Sequence, residues 1–219
     1  MERVLEPEWM DDADEARAYA AMDHREPNAA FIARLVELGS GGRVLDLGTG
    51  PGDVPLRILH DGLARRIVAV DAAWHMLALA HDQHIATPAN GRLHLVQADV
   101  KRLPFADASF DTVVSNTVLH HLPEPGLLLR EAARVARPGG CVLIRDLFRP
   151  HSPDELEHLV QRHAGDQAPE QQQLLRQSLH AALRPDELEE LASRCGLSDT
   201  TIVVDTDRHM SLQRRRDVQ

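Results

Sequence analysis

Three glycines at alternate positions, Gly48, Gly50 and Gly52, lie between two acids in the run Asp46-Leu-Gly-Thr-Gly-Pro-Gly-Asp53. Such a run lets the backbone turn sharply and lets a ligand lie directly against it, because no side chain intervenes. The spacing departs from the G-x-G-x-x-G of dinucleotide sites, whose third glycine falls here at Asp53, and no G-x-x-x-x-G-K-S/T phosphate loop occurs. Asp53 also falls in the first turn of the expected next helix, where an acid complements the helix dipole but repels a pyrophosphate. These residues suit a nucleoside that carries positive charge and no phosphate. Two further carboxylates agree. Asp71 closes a second apolar run, where it can accept both ribose hydroxyls, and Asp99 closes a third, where it can accept from an exocyclic amine. Asp46 either holds an ammonium or pins the loop. Acids also end strands to cap the helices that follow, so it is their combination with the loop that points to a ligand.

The elements that position these residues follow from short apolar, β-branched runs: 43–47, 66–70, 93–97, 110–114 and 141–144. They alternate with helical patterns near 53–60, 73–84 and 124–136, the last stopped by Arg137-Pro-Gly-Gly140. Runs apolar on both faces require helices on both sides, which predicts an α/β fold with a doubly wound, parallel sheet. Helices are expected at about 11–21 and 28–38, forming an N-terminal cap over 1–40 ahead of a core at 41–148. A helical insertion over 149–184 should cover the working edge of the sheet. Residues 185–213 read as a helix opened by Pro185 and closed by Cys195-Gly196, then a strand pair at 200–204 and 209–212. All 219 residues are thus expected to form one domain. The closing Arg214-Arg-Arg216 reads as a solvated tail, or less simply as a phosphate clamp.

Thirty-four acids against 24 bases give a net charge of −10, which argues against a nucleic-acid partner. Cys141 and Cys195 stand in no metal or redox spacing and suit a reducing compartment. The acidic N-terminus lacks a signal-peptide pattern and no apolar stretch is long enough to span a bilayer, so a cytoplasmic protein without a membrane partner is expected.

Several pieces in order then carry a resemblance: Val44-Leu-Asp-Leu-Gly-Thr-Gly-Pro-Gly52, Val70-Asp-Ala-Ala-Trp-His-Met76, Ala98-Asp99 with Leu103-Pro-Phe105, Phe110-Asp111 with Leu119-His-His-Leu122, and Arg137-Pro-Gly-Gly140. Together, over about residues 30–147, the chain resembles a class I S-adenosylmethionine-dependent methyltransferase, most of all the small-molecule branch that includes quinone-biosynthesis C-methyltransferases. The resemblance implies a Rossmann-like, mostly parallel seven-stranded sheet with an antiparallel C-terminal strand and added lid helices. It implies S-adenosyl-L-methionine as cofactor and S-adenosyl-L-homocysteine as product. By position, Gly48, Thr49 and Gly50 would line the methionine part, with Asp46 and Gly52 completing the loop. Asp71 would bind the ribose, Ala72 and Met76 would flank the adenine, and Asp99 with Val100 would take its amine. Ser115 and Asn116 would pass under the sulfonium.

The reaction this implies is an in-line displacement, for which the protein mainly aligns nucleophile and methyl. A base is needed only where the acceptor must lose a proton. Candidates are His120, His121 and Asp146, and adjacent histidines on a helix are expected to diverge so that at most one reaches the acceptor. Tyr19, Asp23 and His24 on the N-terminal segment, and Arg149 and His151 after strand five, are candidate acceptor contacts. Strand four runs into Ser115-Asn-Thr-Val118 and lacks the Asn-Pro-Pro-aromatic signature of base and amide methyltransferases. His81 and His84 share a helical face without a third ligand, and no metal is expected. The single tyrosine, two tryptophans and four phenylalanines disfavour a broad aromatic acceptor unless Phe148 or Trp9 covers it. Two other readings remain on sequence alone: a protein of this fold that uses the cofactor for non-methylating chemistry, and a non-catalytic binding subunit.

Overall fold

The computed structural model describes the chain except residues 7–10, 23–24, 87–90 and 218–219, and except the side chains of 84–86. Trp9, Asp23 and His24, and the His84 side chain, therefore lie outside the described residues.

Seven strands form one sheet: β1 Arg43–Leu47, β2 Arg66–Asp71, β3 Leu93–Gln97, β4 Phe110–Asn116, β5 Ala136–Leu147, β6 Thr201–Val204 and β7 His209–Arg214, in the order β3-β2-β1-β4-β5-β7-β6. The pairs among the first five are parallel, whereas β7 runs antiparallel to both β5 and β6. The two-residue period of a strand sends alternate side chains to opposite faces. Accordingly Leu45, Leu47, Val68, Val70, Val113, Val142 and Ile144 share one buried cluster, while Val44, Ile67, Ala69, Val114, Cys141 and Leu143 share the other. Helices α2 (Arg25–Glu37) and α3 (Asp53–His60) cover the second face. Helices α5 (Pro125–Val135) and α8 (Pro185–Arg194) cover the first, with α1 (Ala13–Ala20) packed on α4 (Trp74–Ala86) beside them. The sheet and its flanking helices agree with the doubly wound expectation, and the antiparallel strand is where the resemblance placed it.

Strand order reverses at β1, whose neighbours are β2 and β4, so a crevice opens beyond the carboxyl ends of these strands. The insertion forms α6 (Pro153–Ala164) and α7 (Pro169–Ala181), which pack through Leu156, Leu159, Val160 and Leu179 onto Leu147 at the end of β5. That places the lid over the crevice.

Two expectations are corrected here. Arg214–Arg216 is no frayed tail: Arg214 ends β7 and donates from Nε to Gly140 O at 2.8 Å, and the Arg216 amide donates to Leu38 O at 2.9 Å. The second concerns Arg149, a candidate acceptor contact. It is buried at 2% exposure and donates to Ala182 O at 2.7 Å and Glu187 Oε1 at 2.6 Å, tying the lid to α8. Its donors are consumed by the fold. Arg149→Met should therefore cost about 2–4 kcal/mol, since a buried carbonyl loses its donor and Glu187 its partner. Urea denaturation checks this, and a midpoint unchanged from the native chain would show the clamp to be idle.

Candidate active site

The first strand delivers Asp46 into the interior at 2% exposure, where its Oδ2 accepts from Thr49 Oγ1 at 2.7 Å and so folds the loop back on its own strand. Gly48 and Thr49 then donate their amides to Val70 O at 2.8 and 2.9 Å. Gly48 sits at φ 69°, and a Cβ there would come within 2.4 Å of Val118 Cγ2. Gly50 sits at φ 54°, and a Cβ there would meet the Tyr19 ring in ordinary van der Waals contact, with Cε1 at 3.9 Å. Its amide donates to Asp71 Oδ2 at 2.8 Å, while Asp71 Oδ1 accepts from Ala73 N–H at 2.9 Å. One carboxylate at the end of β2 thereby fixes both the glycine loop and the start of α4.

These residues border a cavity of about 560 Å³. Of the residues expected at the cofactor, Asp46, Gly48, Thr49, Gly50, Asp71, Ala72, Met76, Asp99, Val100 and Asn116 line it. Gly52 and Ser115 do not. Gly52 packs against Ala80 of α4, and Ser115 is fully buried with its hydroxyl donating to Leu47 O at 2.9 Å, a staple between β4 and β1. Asp99 accepts the Lys101 amide at 2.8 Å and lies 3.2 Å from its Nζ.

The cavity fits a cationic nucleoside on three counts. Carboxylates Asp46, Asp53, Asp71 and Asp99 all line it. Each oxygen of Asp71 spends one lone pair on an amide, leaving acceptor capacity for a sugar diol. Asn116 Oδ1 is buried without a hydrogen-bond partner, an acceptor suited to a polarised donor. Burial raises Asp71 above the usual carboxylate range, and it pushes Asp46 up to about 7, with Asp71 adding to the effect and the Thr49 hydroxyl opposing it.

Opposite the cradle, a one-turn 3-10 helix, Leu119–His121, carries the paired histidines. Both line the cavity, with ring centroids 4.1 Å apart. The expectation that they diverge is corrected, because both turn toward one carboxylate: Glu6 Oε1 lies 3.4 Å from His120 Nε2 and 2.7 Å from His121 Nδ1. Asp146, on β5 and 2% exposed, takes the other side of His120, with Oδ1 at 2.5 Å from Nδ1 and Oδ2 accepting the His120 amide at 3.1 Å. Burial alone would lower the His120 imidazole, but Asp146 and Glu6 outweigh it and the net direction is upward. Asp146 is held below its ordinary value by His120 against the push of burial.

Apolar Val118, Leu122 and Leu147, with Leu174 and Leu175 of α7, also line the cavity. Tyr19 lines the same cavity beside Gly50, and burial raises its phenol. His151 is exposed and lies off the cavity. Phe148 does not line it either, so Tyr19 supplies its one phenyl ring among the described residues. Sequence reasoning missed Glu6, Asn28, Thr117, Arg145, His163, Arg208 and His209. Thr117 carried a usable signal, a β-branched residue just past a strand end; its φ of 60° is strained and lets its amide reach Arg145 O at 2.8 Å. Burial, with Arg145 and Arg208 nearby, pushes His209 down to about 3, so it faces the cavity neutral.

Comparison with known proteins gives the class. A methyltransferase-domain family model matches residues 45–144. The 27-O-demethylrifamycin SV methyltransferase of Amycolatopsis mediterranei is 32% identical over 60% of this chain and 48% of its own length. A demethylmenaquinone methyltransferase of Roseiflexus castenholzii is 33% identical over 74% of this chain and 70% of its own. In fold, the crystal structure of a SAM-dependent methyltransferase from Aquifex aeolicus superimposes with a TM-score of 0.69 at 17% identity, covering 93% of this chain and 97% of that one. The chain spans about half the length of the first curated relatives it matches. It belongs to the S-adenosylmethionine-dependent methyltransferase family.

Two predictions test the cradle. With Asp71 assigned to the ribose, Asp71→Ala would remove an acceptor for two hydroxyls, at about 1.5–3 kcal/mol per bond, and should weaken S-adenosylmethionine binding ~100-fold or more by calorimetric titration. Gly50→Val, which fills the cavity and strains the backbone, should do the same; unchanged affinity in both variants refutes the assignment. For Asp46, the folded-state value near 7 stands above the unfolded 3.8, so its contribution to stability is complete below about pH 4 and lost as pH rises through 7. Relative to Asp46→Asn, the native chain should lose about 4 kcal/mol between those limits in denaturation series, and parallel pH profiles would sink the assignment.

Proposed function

We propose that the chain transfers the methyl group of S-adenosylmethionine to a small-molecule acceptor. The observation that carries this is the meeting, in one cavity, of the glycine and carboxylate cradle with His120 and His121, which Asp146 and Glu6 contact. When bound, the cofactor supplies a methyl carbon activated by a positive sulfur. Asp71 fixes the ribose, Asp99 and Val100 the adenine end, and the backbone of Gly48 to Gly50 the methionine end. Asn116 and Asp46 face the cationic part. The acceptor lies between the 3-10 turn and the lid, where Leu122, Leu147, Leu174 and Leu175 exclude water and hold it in line. As its nucleophile bonds to the methyl carbon, the carbon–sulfur bond breaks and its pair stays on sulfur. Where the acceptor carries a proton, the histidine cluster receives it, His120 being oriented by Asp146.

A cavity of about 560 Å³ and a net charge of −10 support a small metabolite rather than a nucleic-acid strand. Among the described residues no helix is long and apolar enough to cross a membrane. The free, buried thiols of Cys141 and Cys195 suit a reducing compartment, and we place the protein in the cytoplasm.

A panel of hydroxylated and enolisable metabolites scored by S-adenosylhomocysteine release tests the reading. One class should give release matched by methylated product, and none with any class overturns it. On the responsive acceptor, His120→Gln should lower turnover ~10²–10⁴-fold, the range of positioned acid–base groups, with cofactor affinity unchanged. Undiminished turnover would remove His120 from the mechanism.

A further inference from the structure

We propose that Glu6, His120 and His121 form a binding site for a divalent transition metal of the zinc class, with an open position toward the acceptor. One oxygen or nitrogen from each of the three lies within 4.8 Å of the other two. Ligands bonded at about 2.0–2.2 Å in a tetrahedron stand about 3.4 Å apart; Glu6 Oε1 and His120 Nε2 already have that spacing at 3.4 Å, and Glu6 Oε1 and His121 Nδ1 would open from 2.7 Å. Glu6 Oε1 is the telling atom. The side chain is 8% exposed, yet Oε1 is buried without an aligned hydrogen-bond donor while it faces both imidazoles. Its second oxygen is 3.2 Å from the Ser178 hydroxyl, which fixes the carboxylate from behind.

The surroundings have the form of a metal site's outer shell. Asp146 grips His120 Nδ1, which leaves Nε2 as the coordinating atom and orients the ring, the carboxylate–histidine arrangement common around bound metals. Two nitrogens and one oxygen suit zinc or cobalt rather than magnesium or calcium, which prefer all-oxygen shells. Charge agrees as well: two buried carboxylates with two neutral imidazoles balance a dication. Arg3, the neighbouring cation, spends its guanidinium on the carbonyls of Leu122, at 2.9 Å, and Ala181, and so holds the Glu6 segment against the 3-10 turn.

On the methyl-transfer reading, a loaded site would take over the proton-accepting role that the histidines hold when it is empty: an acceptor hydroxyl at the open position would be acidified, release its proton to solvent and be presented to the methyl carbon as the anion. That chemistry rests on the reading above, whereas metal binding does not. Chelator-treated full-length protein titrated with Co²⁺ should take up one equivalent and develop the intense visible absorption of a four-coordinate site, and Zn²⁺ should displace it. Glu6→Gln, nearly isosteric, should weaken binding ~100-fold and change the spectrum, and Asp146→Asn should weaken it ~10–100-fold, as outer-shell losses do. His158→Asn, on the exposed face of α6, should bind as the native chain does. Cobalt uptake that survives Glu6→Gln, or only the faint spectrum of a hexaaquo-like ion, overturns the proposal. Cofactor affinity measured on the same samples keeps a failed metal site distinct from a failed methyltransferase.

Discussion

The Asp71 carboxylate, caught between the amides of Gly50 and Ala73, is the interaction on which the cavity depends. Three segments far apart in sequence meet there: the end of β2, the loop after β1 and the opening of α4. A glycine-rich loop has much conformational freedom to lose on folding, and a carboxylate pinned by two amides at 2.8 and 2.9 Å restricts it to one shape. Because the same carboxylate also faces the cavity, the group that shapes the loop is the group offered to the ligand.

The electrostatics follow from that economy. Four acids border the cavity, and the sheet buries the most interior of them, Asp46, so deeply that its ionisation is opposed both by lost hydration and by Asp71. Such an arrangement is tense without a cation and relaxed with one, since positive charge at the cradle lowers the cost of ionising both acids. A pyrophosphate would raise that cost. The preference for a cationic ligand is therefore built into the burial of the strand ends and needs no separate recognition residue.

What was legible in the sequence is what short-range chemistry writes. The alternation of β1, β2 and β4, the glycine spacing and the strand-end acids each lie within a few residues of what they position, and the sheet and cradle followed from them. Glu6 carries no local mark. It reaches His121 because Arg3 anchors the preceding residues to carbonyls more than 110 positions away, a contact that no periodicity encodes. Arg149 was misread for the mirror-image reason: a basic residue just past a strand looks available, and only the packing of α8 shows that Glu187 and Ala182 have consumed it. The two histidines were expected to splay because helical geometry separates neighbours. A tight turn facing a shared carboxylate brings their rings together instead.

The same division separates what the chain shares with its family from what sets it apart. Residues 45–144, the stretch common to the family, contain the whole cradle and the histidine pair. Glu6, which gathers those histidines, lies outside it, as do Leu174, Leu175, Arg208 and His209, which line the cavity. The cradle thus rests on local, sheet-borne geometry, and the remaining wall of the cavity on elements that reach it only through tertiary contacts. A change of acceptor within such a fold then needs no alteration of the sheet: replacing the N-terminal segment and the α6–α7 lid changes the far wall and the surroundings of the histidines, while the grip of Asp71 on Gly50 stays as it is.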